Sequence, residues 1–152
     1  MLWVENNLWV GGTGDGLWVC DPVAGRARRV GQNTLTDQRV TSIVRAGDTL
    51  WVGTARGINR LDLRSSELVP LPASINAPYA LGGFGVTDLL VDRRNRLWIA
   101  TETGGVFLLE PGNDKAAMRR ISTRDGLPHN GTNALLEDAQ GAIWVSTDDG
   151  IG

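Results

Sequence analysis

Few residues in this 152-residue chain are suited to chemistry, and they are of few types. His129 is the only histidine and Cys20 the only cysteine. An internal disulfide, a cysteine-cluster or histidine-rich metal centre and a Ser/His/Asp triad with a spare base are therefore excluded within the chain. What is left is polar recognition. Arg56 offers a planar fork for a carboxylate or sulfate, and Tyr79 a ring on which a sugar can stack. Glu102, His129 and Asp148 add hydrogen-bonding groups for a polar ligand. The carboxylates Asp15, Glu102 and Asp148 could do acid–base work only if a dry pocket raised one pKa, and their Gly-rich surroundings do not suggest such a pocket. The expectation is a segment that binds without catalysis, with no cofactor and no metal.

The charge balance narrows the partners. A formal net charge of −2 and a pI near 5.3 give no global attraction to nucleic acid or anionic lipid. Two local basic clusters, Arg26 with Arg28 and Arg29, and Arg93 with Arg94 and Arg96, lack aromatic neighbours for base stacking and read as solvated strand edges and turns. The opening MLWVENNLWV has neither a basic leader region nor an apolar one, and no run approaches the ~18 apolar residues that span a bilayer.

The elements that must position these residues are announced by a repeat. LWVGG at 8–12, LWVGT at 50–54, LWIAT at 97–101 and IWVST at 143–147 align, with Trp9, Trp51, Trp98 and Trp144 spaced by 42, 47 and 46 residues. Seven or eight residues after each Trp comes Gly16-Leu17, Gly57-Ile58, Gly105-Val106 or Gly150-Ile151. A period near 45 without helical periodicity matches a propeller blade. Each unit reads as a four-stranded antiparallel meander, because its short turns cannot make the crossover that parallel strands need. In the second unit the strands fall at 40–45, 50–54, 58–63 and 68–71. Inner runs such as LWV, LLV and VFLL are apolar throughout, which implies burial on both faces between neighbouring blades. The fold class is thus all-β, a partial β-propeller of about three and a half blades at about 2–31, 38–74, 85–122 and 131–152.

Within a blade the Trp is expected to be a packing residue. Gly16, Gly57, Gly105 and Gly150 open the third strand where a positive φ is needed. The small residue two after each Trp (Gly11, Gly53, Ala100, Ser146) is expected to make room for an aromatic ring of the next blade. The turns between the second and third strands carry Asp15, Arg56, Glu102 and Asp148, and the connections between blades carry Tyr79 and His129. Both sets of loops are expected on one face of the propeller, the usual place for a ligand.

The pattern V-x-x-I/L-x-x-D-x-x-G-x-L/I-W-V/I-G/S-T-x-x-G-I/L, fullest at 132–151 and looser from Val40 and Val86, resembles the two-component regulator propeller repeat. TRDGLPHNGT at 123–132 resembles the same family's inter-blade connection. The chain departs from the pattern at Asn95, where Gly is usual, at Thr132, where Val is usual, and in the second blade, whose first turn is shorter and lacks the Asp. The resemblance implies a ligand-sensing region on the periplasmic or extracellular face of a bacterial inner-membrane protein whose output is a histidine kinase, hybrid kinase or diguanylate cyclase. It implies an oligosaccharide or other small polar ligand, the remaining blades of a larger propeller as structural partners, and a homodimer formed through the parent protein. On this reading Gly152 is a truncation point, and the segment alone is an open arc prone to associate. Two other readings stay open: a propeller enzyme resembling streptogramin lyase, for which His129 would have to join a metal site, and a protein-interaction platform using the same loop face.

Overall fold

The computed structural model describes residues 1–71, 75, 81, 83–110 and 118–152. Blade 1 comprises β1 (Leu2–Val4), β2 (Asn7–Gly11), β3 (Leu17–Asp21) and β4 (Arg26–Val30). Blade 2 comprises β5 (Val40–Ala46), β6 (Thr49–Thr54), β7 (Gly57–Asp62) and β8 (Glu67–Val69). Blade 3 comprises β9 (Val86–Val91), β10 (Leu97–Thr101), β11 (Val106–Leu109) and β12 (Arg119–Ile121). Blade 4 has β13 (Thr132–Glu137), β14 (Ile143–Thr147) and β15 (Gly150–Ile151). Each sheet is a meander in chain order, and the sheets pack one on the next without closing into a ring. The predicted end of blade 2 at 74 and Tyr79 lie outside the described residues.

Side-chain alternation divides each blade into a backward and a forward face. Trp9, in register with Val19 and Leu2, packs forward in one core with Val40, Leu50, Val52 and Leu61 of blade 2. Trp51 does the same against Leu89, Leu97 and Ile99 of blade 3, and Trp98 against Leu135 and Val145 of blade 4. Trp9 and Trp51 are 3% and 2% exposed, whereas Trp144 is 49% exposed beside exposed Leu136 and Ile151. At the other end of the arc, Trp3 on the backward face of blade 1 is exposed as well.

The small residue after each Trp corrects one expectation. A Cβ on Gly11 would lie 2.4 Å from Val40 Cγ1, and one on Gly53 would lie 2.5 Å from Val86 Cγ1. The space is thus taken by the β-branched residue that opens the first strand of the following blade, not by an aromatic ring. In the third interface the corresponding pair is Ala100 and Thr132. Thr132 is fully buried, and its hydroxyl accepts from the Thr101 N–H at 2.8 Å and donates to the Thr101 carbonyl at 2.9 Å. A buried hydroxyl with both roles filled is tolerated where Val would otherwise stand.

The first strands of blades 2, 3 and 4 each shift register near their start, between Val40 and Ser42, at the Val86–Asp88 step, and between Thr132 and Ala134. Such bulges leave backbone groups without ladder partners. β9 and β13 are also edge strands, and their outward N–H groups meet side chains: the Leu89 N–H reaches Asp88 Oδ1 at 2.9 Å and Ser42 Oγ of the preceding blade at 3.2 Å, and the Leu135 N–H donates to Asp88 Oδ2 of the preceding blade at 2.9 Å. Ser42 Oγ in turn donates to Asp88 Oδ1 at 3.3 Å. Asp88 therefore joins blades 2, 3 and 4, a role that no repeat letter announces.

Candidate functional site

The loops that carry the predicted site are closed locally by threonines. Thr54, Thr101 and Thr147, each ending the second strand of its blade, donate to the carbonyls of Gly57, Gly105 and Gly150 at 3.1, 2.7 and 2.9 Å. Their hydroxyls also accept the N–H of Arg56, Gly104 and Asp149. Gly57 and Gly105 take φ of 129° and 81°, open to glycine with little strain. Each turn is then tied to the inter-blade connection beside it. Ala55, Glu102 and Asp148 N–H groups reach the carbonyls of Arg39, Gly85 and Gly131 at 2.9 to 3.1 Å. The Gly16 and Gly105 N–H groups reach Gln38 and Asn130 on the connection that follows. The two loop sets do share one face.

On that face the predicted residues separate into three places. Arg56 is exposed, and its Nε lies 3.6 Å from Asp37 Oδ2 on the connection between blades 1 and 2. The Glu102 carboxylate covers Gly85, where an added Cβ would approach it to 2.6 Å. Among the described ones only His129 and Asp148 meet, with Nδ1 and Oδ2 3.5 Å apart. His129 Nδ1 accepts the Gly131 N–H at 2.9 Å, which places the proton of the neutral ring on Nε2. Pairing with Asp148 would require a proton on that same Nδ1, so the two arrangements compete. Asp148 Oδ1 is held at 3.0 Å by Asn133 Nδ2. Hydrogen-bonding groups at this corner can hold a polar ligand, and Nε2–H of the half-exposed ring is the donor left for one.

The connection leading to His129 is built residue by residue. Ser122 caps a single 3-10 turn over Thr123–Asp125, Asp125 returns a carboxylate to the Ser122 N–H at 3.0 Å, and Gly126 ends the turn at φ 104°. Leu127 then packs against the blade 3 and 4 core. Beside this loop Arg120, Ser122, Thr123, Arg124 and Asn130 line a cavity of about 290 Å³. Among the described residues no three His, Cys, Asp or Glu side chains are grouped so that they could hold a metal ion.

Two carboxylates that sequence reading left in the repeat pattern turn out to be the hubs of their blades. Asp92 Oδ1 accepts the N–H of Arg94 and Arg96, while Oδ2 takes the Trp98 indole N–H at 2.8 Å and Arg96 Nε at 2.7 Å. Asp138 repeats the clasp, with Gln140 and Ala142 N–H on Oδ1 and the Trp144 indole N–H on Oδ2. Burial works to raise the pKa of Asp92, but the bonds from Trp98 and Arg96 and the Arg96 charge outweigh it and hold the carboxyl below its ordinary value. At Asp138 the Trp144 indole, followed by the Ala142 N–H, lowers the pKa as well. Asn95, at φ 59°, takes the left-handed place that Gly141 fills at 85° in blade 4, which explains that departure from the pattern.

The sequence model of the two component regulator propeller family matches residues 85–103 and 126–149, the two windows that contain these clasps. These two windows carry the two-component regulator propeller repeat. Solved structures share the fold. The extracellular domain assigned to the hybrid two component system BT3049 of B. thetaiotaomicron is 20% identical, with a TM-score of 0.76 over 97% of this chain and 20% of that one. That of the one component system BT4673 from the same organism is 24% identical, with a TM-score of 0.73 over 92% and 20%. PorZ, a surface component of the type-IX secretion system of Porphyromonas gingivalis, is 20% identical, with a TM-score of 0.73 over 99% and 25%. The chain thus spans about a fifth to a quarter of these structures. A search of curated proteins finds no match. Among the described residues no helix is long and apolar enough to cross a membrane.

Proposed function

We propose that this chain is a ligand-sensing, non-catalytic propeller segment of a bacterial membrane-bound two-component or cyclic-di-GMP signalling protein, exposed on the periplasmic or extracellular side. Its ligand is an oligosaccharide or a similar small polar molecule, taken up on the face where the inter-blade connections meet the turns of Arg56, Glu102 and Asp148. The observation that carries the reading is the regulator propeller repeat at 85–103 and 126–149, whose Asp–Trp clasps the structure displays. The exposed apolar ends of the arc, Trp3 at one and Leu136, Trp144 and Ile151 at the other, fit packing against further blades.

The test is a glycan array probed with the intact protein containing this segment, followed by calorimetry with any oligosaccharide retained. Saturable binding weakened by Glu102→Gln and by His129→Gln is the expected result. Failure of every glycan to bind, or hydrolysis or elimination of a bound one, would overturn the sensing reading.

A further inference from the structure

A cavity of about 770 Å³ lies at the other end of the strands, in the wedge between blades 1 and 2. That volume falls within the range of ~300–1,000 Å³ usual for small-molecule sites. Its apolar lining is Val4, Trp9, Val19, Ala27 and Leu63, and its rim carries four arginines against three carboxylates. We propose that this cleft binds a small solute through an oxyanion group, a carboxylate, sulfate or phosphate, held between Arg26 and Arg28. The proposal is independent of the loop-face reading.

The geometry singles out these two side chains. Arg26 and Arg28 stand two apart on the edge strand β4, so they project to one side about 6.6 Å from each other along the strand, and both line the cleft. Neither makes a salt bridge among the described residues. Asp21, the cross-strand partner of Arg26, instead turns its Oδ1 to the N–H groups of Val23 and Ala24. The other arginines of the rim are engaged: Arg64 pairs with Asp48, and Arg45 Nε donates to the Gly47 carbonyl at 2.7 Å. Two uncommitted guanidinium forks on an exposed strand edge beside an apolar lining match an oxyanion, because planar N–H pairs bind such groups bidentately.

The test follows the arginine Nε–Hε signals of the full chain by NMR at constant ionic strength. The chain is titrated separately with inorganic sulfate, inorganic phosphate, D-glucuronate and, as the uncharged control, D-glucose. Saturable shifts confined to Arg26 and Arg28 are expected with at least one anion and not with glucose, and the anion that saturates at the lowest concentration identifies the group. Arg26→Gln/Arg28→Gln should weaken binding at least tenfold, and Arg94→Gln, on an exposed turn of blade 3, should leave it unchanged. Arg26→Lys/Arg28→Lys keeps the charge and loses the fork, so undiminished binding by that variant would refute the guanidinium assignment. Shifts that rise linearly and spread over all arginines would overturn the site.

Discussion

Substituting Gly53 by Ala tests how the blades are spaced. The new Cβ would sit 2.5 Å from Val86 Cγ1 and 3.1 Å from Val86 Cβ, against an ordinary carbon contact of about 3.5–4.0 Å. Val86 is 1% exposed in the core shared by blades 2 and 3, so it cannot swing into solvent. Overpacking of this kind costs about 1–3 kcal/mol, and the lost flexibility of the unfolded chain returns about 0.4–1 kcal/mol. The net expectation is a loss of about 1–2 kcal/mol, or about 2–8 °C in Tm for a chain of this size. Val86→Ala alone should also destabilise, by about 1.5–3 kcal/mol, because it leaves a gap at the same spot. In the double variant the methyl introduced at position 53 occupies that gap, so urea denaturation should show the second change costing at least ~0.5 kcal/mol less than it does alone. Strict additivity would refute the claim that this contact sets the distance between blades.

Asp88→Ala removes the acceptor of the Leu135 N–H and the link to Ser42, and should cost about 1.5–3 kcal/mol by chemical denaturation, with Asp88→Asn costing clearly less because it keeps one oxygen acceptor. Asp92→Asn should cost about 2–3 kcal/mol at pH 7, since the buried carboxylate accepts four bonds. Because the folded pKa of Asp92 lies below its ordinary 3.8, this stabilisation is present above that value and is lost as pH falls through the folded pKa. The gap between wild type and Asp92→Asn in pH-dependent denaturation should therefore narrow below about pH 4. Leu136→Lys, on the exposed face of blade 4, should shift the concentrated chain toward monomer in light scattering while changing Tm little.

Strand positions, turn residues and blade order were legible because each rests on local chemistry repeated along the chain. β5 to β8 lie within two residues of the predicted strands of blade 2, since the apolar runs and the glycines at positive φ act within a hairpin. The partner of the small residue after each Trp was not legible. Alternation shows that Gly53 shares a face with Trp51, but which side chain arrives there depends on how the next sheet is staggered, and the structure brings Val86. The candidate site divides in the same way. Its loops share a face because every blade repeats one connectivity, yet among the described site residues only His129 and Asp148 come within pairing distance, while Arg56 turns to Asp37 and Glu102 to Gly85.

By itself, then, the sequence determined the period, the meander and the identity of the regulator propeller repeat, all of which follow from hydrogen bonds and turns closed within about 45 residues. Tertiary structure decided what happens between repeats. Asp88 joins three blades because the edge strand of blade 4 turns the Leu135 N–H toward it and Ser42 of blade 2 reaches its other oxygen. Arg26 and Arg28, a solvated strand edge when read in one dimension, line a cavity together with Arg45, Asp48 and Arg64 of blade 2. Repetition encodes each blade, while the wedge between two blades combines repeat residues such as Trp9 with the arginines of one edge strand.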